Sequence, residues 1–147
     1  MNHGGLMAQQ ISVFIENTRG RLREITRLLK DARINIKALT IADTPDFGVV
    51  RMITDNNQHA LKILKDGGFT TRTTEVIAVR IENKPGSLFD ILSVLEKKDL
   101  NIEYLYSYAA SPHEQAILLF RFDDNESAQK ALSDSNIPVL STEELVK

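Results

Sequence analysis

I-E-N-T-R-G-R-L at positions 15–22 is answered 66 residues later by I-E-N-K-P-G-S-L at positions 81–88. Laying 13–40 over 79–106 needs no gap. Eleven of those 28 positions are identical: Val13, Ile15, Glu16, Asn17, Gly20, Leu22, Ile25, Leu29, Asn35, Ile36 and Leu39 each meet their own kind in the second copy. The match resumes at an offset of 68, with Asp55 over Asp123, Ala60 over Ala128 and Leu64 over Leu132, so two residues are inserted in a loop around Pro112 and His113. Length alone leaves open one ordinary domain or two small ones. The repeat chooses two.

Within each copy the apolar period changes in the same order. Ile11, Val13 and Ile15, like Ile77, Val79 and Ile81, alternate with other residues, the pattern of a strand buried on one face. Leu22, Ile25, Leu28, Leu29 and Ala32 then fall at helical spacing, as do Leu88, Ile91, Leu92 and Leu95, so strand gives way to helix across N-x-x-G. β-rich stretches follow at 34–42 and 49–54, and at 101–108 and 116–122. A second helix is predicted at 58–65 after Asp55-Asn56-Asn57 and at 128–133 after Asp123-Asp124-Asn125, whose Asp and Asn side chains suit N-caps. Short strands at 69–74 and 137–140 close the copies.

The order β-α-β-β-α-β, written twice, predicts an α+β protein of two ferredoxin-like domains in tandem, each an antiparallel sheet with both helices on one face. The domains are expected at 9–75 and 76–147. Only Thr74-Glu75-Val76 separates the last strand of one from the first strand of the next, so close packing, even one extended sheet, is expected. Residues 1–8 are assigned to a disordered tail or expression remnant, since Met1 to Leu6 are polar and glycine-rich and a second Met7 follows.

Composition removes several classes of function. Eighteen Lys and Arg against 20 Asp and Glu give a net charge of -2, which provides no basic field for nucleic acid. The absence of cysteine excludes disulfides, thiolate nucleophiles and Cys-based metal sites, and suits a reducing compartment, so the cytoplasm is expected. No apolar run approaches the roughly 20 residues of a membrane helix, and no export leader opens the chain. His3, His59 and His113 never pair at a ligand spacing, so neither a metal site nor a cofactor is expected. Asp43 and Asp46 flank Pro45 as turn residues rather than as an acid-base pair. G-x-S-x-G, a P-loop and H-E-x-x-H do not occur, so no catalytic residue is assigned.

The glycine turn is the remaining place for chemistry. Where a strand stops and a helix begins, the first N–H groups have no intrahelical acceptor and the dipole puts partial positive charge there, a setting for a carboxylate. Glycine at 20 or 86 lets backbone approach a ligand, and Asn17 or Asn83 brings both donor and acceptor. Taken alone, the same residues read first as a plain turn, with Asn capping it and glycine meeting a backbone need.

The pattern I-E-N-x-x-G-x-L-x-x-I/L, then a helix, then N-I, then a β-hairpin, resembles the ACT domain, a regulatory module that binds amino acids. Both copies carry it, over residues 9–140. The resemblance implies a stand-alone tandem ACT protein without a catalytic domain, and ligands held between ACT domains by the strand-to-helix loop of one and the second strand of a neighbour. Carried onto this chain, the loop residues are Asn17, Thr18, Arg19, Gly20, Arg21 and Leu22, then Asn83, Lys84, Pro85, Gly86, Ser87 and Leu88. The second-strand positions are Asn35 and Ile36, then Asn101 and Ile102. The family's loop reads N-x-P-G, so the second copy conforms and the first departs with Arg19. Arg19 and Arg21 add two cations beside the first turn, either solvated or bonded to an anion.

Tyr104, Tyr106 and Tyr108 share one face of a strand where the first copy holds Ala38, Thr40 and Ala42, a face suited to packing against another domain or subunit. The expected partners are a free amino acid, a second copy of the chain in a homodimer, and an enzyme or regulatory protein. Three alternatives stand beside the amino-acid sensor: a regulatory subunit similar to the small subunit of acetolactate synthase, a small acylphosphatase-like enzyme built on Asn17, Arg19 and Gly20, and a purely structural dimerisation module whose ligand loops are vestigial.

Overall fold

Phe120 and Phe122, both buried on one strand with ring centroids 5.2 Å apart, and the aliphatic pair Ile25 and Leu29 on the first helix mark two separate cores. A computed structural model describes residues 7–16, 18–43, 45–110 and 115–145. The chain divides into two compact units, with the boundary between Thr74 and Glu75.

The first unit, 9–74, holds most of β1 (Ala8–Glu16), then α1 (Arg21–Asp31), β2 (Ile36–Asp43), β3 (Phe47–Thr54), α2 (Asn57–Asp66) and the start of β4 (Thr70–Glu82). Its strands lie in the order β2-β3-β1-β4. β1 and β3 pair antiparallel, with Ile11 opposite Met52 and Val13 opposite Val50, so these four share a face. Ile25 and Leu29 of α1 and Ala60 and Leu64 of α2 pack on that face. In each helix the pair is four residues apart and therefore lies one above the other. Burying Ile25, Leu29 or Leu64 stabilises by roughly 1.5–3 kcal/mol each. The exposed ion pairs of Arg27 with Glu24 and Asp31 along α1 contribute far less. The apolar stripe therefore decides how α1 is seated.

The second unit, 75–145 together with Met7 and Ala8, holds the rest of β4, α3 (Ser87–Glu96), β5 (Ile102–Ala110), β6 (Gln115–Phe122), α4 (Asn125–Asp134), β7 (Val139–Leu140) and α5 (Thr142–Leu145). β4 lies between β7 and β6, and β6 between β4 and β5, all antiparallel. Ile77 and Val79 of β4 and Leu118, Phe120 and Phe122 of β6 face Ile91 and Leu95 of α3 and Leu132 of α4.

Fine structure repeats as well. Ile36 pairs with Thr54 but Ala38 with Ile53, and Ile102 pairs with Phe122 but Tyr104 with Arg121, so Lys37 and Glu103 are single-residue bulges at matching places. The Asn35 N–H donates to the Asp55 carboxylate at 3.1 Å and the Asp55 N–H returns a bond to the Asn35 carbonyl at 3.0 Å. Asn101 and Asp123 repeat this at 3.2 and 3.1 Å. The Asn57 amide accepts from the Thr54 N–H and donates to the Gln9 carbonyl. Asn125 does the same with Phe122 and Glu75. Asn56 and Asp124 cap α2 and α4, accepting from the N–H groups of His59 and Ser127. The Ser127 bonds hold the Asp124 carboxyl below its ordinary range.

Four expectations change. The strands expected at 69–74 and from Ile77 are one strand, β4, because T-T-R-T-T-E-V-I-A-V-R-I-E contains no glycine or proline and is rich in β-branched residues. Met7 and Ala8, expected in the tail, belong to the fold: Met7 is buried in the second core and Ala8 opens β1. Residues 1–6 lie outside the described residues. α4 starts at Asn125 rather than 128 because its first turn is polar and invisible to an apolar period. α5 was not anticipated at all. Its signal is the capping box S-T-E-E, in which the Ser141 N–H donates to Glu144 Oε1 at 2.9 Å and the Glu144 N–H to Ser141 Oγ at 3.3 Å.

Candidate functional site: the two strand-to-helix turns

Between the end of β1 at Glu16 and the start of α1 at Arg21, two backbone hydrogen bonds tighten the chain. The Thr18 N–H donates to the Glu16 carbonyl at 2.8 Å and the Arg21 N–H to the Thr18 carbonyl at 3.4 Å, with Gly20 at φ 89° and ψ -7°. These are the marks of a type II turn with Arg19 and Gly20 at its centre. In the second copy the Lys84 N–H meets the Glu82 carbonyl at 3.0 Å, the Ser87 N–H meets the Lys84 carbonyl at 3.3 Å, and Gly86 has φ 92° and ψ -17°. Pro85 takes the first central position, where its fixed φ pre-forms the turn. Nothing lies within 4 Å of a Cβ built on Gly20 or Gly86, so positive φ rather than crowding requires the glycine.

Each glycine is also the N-cap of its helix: the Glu24 N–H bonds the Gly20 carbonyl at 3.0 Å and the Asp90 N–H the Gly86 carbonyl at 2.9 Å. Among the described residues no side chain caps either helix. Beyond Arg21 and Ser87, whose N–H groups close the turns, the N–H groups of the first helical turns therefore point outward with the positive end of the helix dipole behind them. Thr18, Arg19 and Gly20, and likewise Asn83, Lys84, Pro85 and Gly86, are exposed. Asn17 lies outside the described residues. On α3, Leu88 is 39% and Phe89 72% exposed beside the turn.

Asn35, Ile36, Asn101 and Ile102 are not brought to the turn of their own copy. Ile15 is level with Asp43 through Gly48, whereas Ile36 is level with Thr54, six residues along β3. At strand rise that is about 20 Å. Asn35 and Asn101 are exposed, and their backbone N–H groups are held by Asp55 and Asp123.

The first turn carries a feature that the second lacks. The Arg21 guanidinium lies over the Phe69 ring, Cζ 4.4 Å from its centroid. Arg21 Nε and Thr71 Oγ1 are both buried without a hydrogen-bond partner among the described residues. Sequence reading singled out Arg21 but neither Phe69 nor Thr71. The available signal was the contrast between copies, since the matching positions hold Ser87, Ile137 and Val139.

Tyr104, Tyr106 and Tyr108 do share a face, opposite Arg121, Leu119 and Ile117, and the first two rings stack at 6.5 Å. The Tyr108 hydroxyl donates to the Leu145 carbonyl of α5 at 3.4 Å, and burial pushes its phenol up. Among the described residues no cluster of three His, Asp or Glu is arranged to hold a metal, and no helix is long and apolar enough to cross a membrane.

Comparison with known proteins agrees with this geometry. The model of a family described as an ACT domain pair matches residues 6–147. A crystal structure of a protein from Bacteroides thetaiotaomicron is 34% identical, with 97% of each chain covered and a TM-score of 0.88. Two structures of the regulatory subunit of aspartate kinase share the fold. That from Thermus thermophilus, in a ligand-free form, is 18% identical with a TM-score of 0.60, covering 88% of this chain and 92% of its own. That from Thermus flavus is 16% identical with a TM-score of 0.58, covering 87% and 90%. A search of curated proteins gives no match.

Proposed function

The chain belongs to the ACT domain pair family, and on that premise we propose that it is a non-catalytic regulatory protein that binds a free amino acid. The observation that carries this reading is the uncapped start of α3 behind Pro85 and Gly86. Its outward N–H groups and dipole suit an α-carboxylate, with the ligand side chain set against a neighbouring ACT domain. Occupancy then biases how domains or subunits pack, and a partner reads the change. The fold shared with regulatory subunits of aspartate kinase supports a regulatory role, including that of a subunit serving a biosynthetic enzyme. Exposed Leu39 and Ile41 on β2, an end strand of its sheet, at 37% and 40%, favour a homodimer. A cysteine-free chain fits the reducing cytoplasm, where we place it.

A thermal-shift screen against the twenty amino acids tests the reading. A ligand at 100 times its Kd adds about 2.7 kcal/mol, which raises Tm by about 5–10 °C in a chain of this size. Gly86→Val forces a β-branched residue into positive φ and fills the approach to the turn, so the ligand-induced shift, taken against the variant's own Tm, should vanish. An undiminished shift removes α3 as the site. Sedimentation of the ligand-bound form should give twice the chain mass, and a monomer would rule out the dimer.

A further inference from the structure

We propose that the turn of the first unit selects a carboxylate carried by the ligand in addition to, or in place of, an α-carboxylate, through Arg21 and Thr71. This takes over from the reading above that ligands meet these turns, and it adds the chemistry that the first one prefers. Arg21 presents a planar fork of N–H donors. Its guanidinium is held flat on the Phe69 ring, a contact that fixes the plane of the donor fork. Nε, one donor of that fork, is buried and unbonded, and Arg21 forms no salt bridge among the described residues.

The acid nearest in the helix is already committed. Glu24 receives Arg27 on both oxygens, Nε to Oε1 at 2.9 Å and Nη2 to Oε2 at 2.8 Å, and this pairing is what chiefly lowers its carboxyl. A buried donor left unpaired is costly, and a guanidinium edge with two parallel N–H groups matches a carboxylate in bidentate fashion. Thr71 lies two residues after Phe69, at the start of β4, and its hydroxyl is the other buried group without a partner among the described residues. A cation held on an aromatic ring, and a hydroxyl two residues along the chain from that ring, neither Arg21 Nε nor Thr71 Oγ1 having a hydrogen-bond partner among the described residues, are two donors that would take a carboxylate oxygen. The second unit has Ser87, Ile137 and Val139 at these places and offers no such pair.

The probes are glutamate and aspartate, succinate as a dicarboxylate without an amino group, and glutamine as the uncharged counterpart of glutamate, titrated at constant ionic strength and followed by calorimetry. At least one dicarboxylate is expected to bind, glutamine about tenfold or more weakly. Tight binding of succinate would assign the site to carboxylic acids in general, and binding of glutamate or aspartate alone to acidic amino acids; both support the proposal. Arg21→Gln should weaken the dicarboxylate at least about tenfold, Thr71→Val less, and Arg21→Lys should fall between because it keeps charge but loses the fork. Should Arg21→Gln fail to fold, the Lys and Val variants decide. Gly86→Val should leave this binding intact, so loss of the α3 site and loss of this one are read separately. Failure of every dicarboxylate to bind, equal affinity for glutamine, or indifference to all three variants would overturn the proposal.

Discussion

Phe120→Ala is expected to lower stability by about 3–5 kcal/mol, the range for emptying a buried aromatic site. Phe120 is fully buried, lies opposite Ile77 on β4 and Leu105 on β5, and stacks on Phe122. Helices α3 and α4 close over it through Ile91, Leu95 and Leu132. A ring enclosed from both sheet neighbours and from the helix layer leaves a cavity that two packed layers cannot easily collapse into. In Tm the loss should be about 6–20 °C, measurable by thermal denaturation in the absence of ligand. Phe89→Ala serves as the control. Phe89 has the same chemistry but lies 72% exposed, so its removal should change stability by less than about 0.5 kcal/mol. Comparable losses from the two variants would mean that the second core is not where the structure puts it.

Asn57→Ala should be the most damaging polar substitution, at about 2–4 kcal/mol, and should exceed Asn125→Ala. Both side chains join a strand end to the backbone of a neighbouring strand in the sheet, β3 to β1 and β6 to β4, yet the first does more. Asn57 Oδ1 accepts from the Thr54 N–H at 3.0 Å and from the Thr54 hydroxyl at 2.8 Å, while its amide reaches the Gln9 carbonyl at 2.8 Å. Thr54 is fully buried, so the variant takes the shared acceptor from two donors held away from water, the Thr54 N–H and hydroxyl. At the matching place the second copy has Phe122, which supplies only its N–H, and Glu75 keeps a further bond from Arg121 when Asn125 is lost. Urea titrations of both variants check the order. An Asn125→Ala loss equal to or greater than that of Asn57→Ala would contradict it.

Much of this architecture was written in the repeat. Ile25 with Leu29, and Ile91 with Leu95, gave both first helices their correct buried faces, because a period of 3.6 interrupted by glycine admits few readings. The strand pairs were legible for the same reason. What escaped has physical causes. Unbroken β4 escaped because a boundary between repeats looks like a boundary between strands when judged by copy number, whereas the backbone sees only an uninterrupted β-forming stretch. Met7 escaped because the glycines before it obscured one buried side chain. The turns were placed correctly, down to the glycine and the proline, since positive φ leaves a clear mark in sequence. The contact of Arg21 with Phe69 was not legible, because it joins residues 48 apart that no period connects.

The paired bulges at Lys37 and Glu103 carry a historical consequence. A bulge changes register, and a strand that gains or loses one turns every later side chain to the opposite face. Two copies diverging to different residues at the bulge, Lys and Glu, while keeping the bulge itself, point to a single-domain ancestor that already possessed it before duplication. The Asn35–Asp55 and Asn101–Asp123 exchanges belong to the same inheritance. The tyrosine face of β5 and the cation on Phe69 mark where the halves differ, one in each. The two halves thus share a scaffold from before the doubling and owe their differences to the time since.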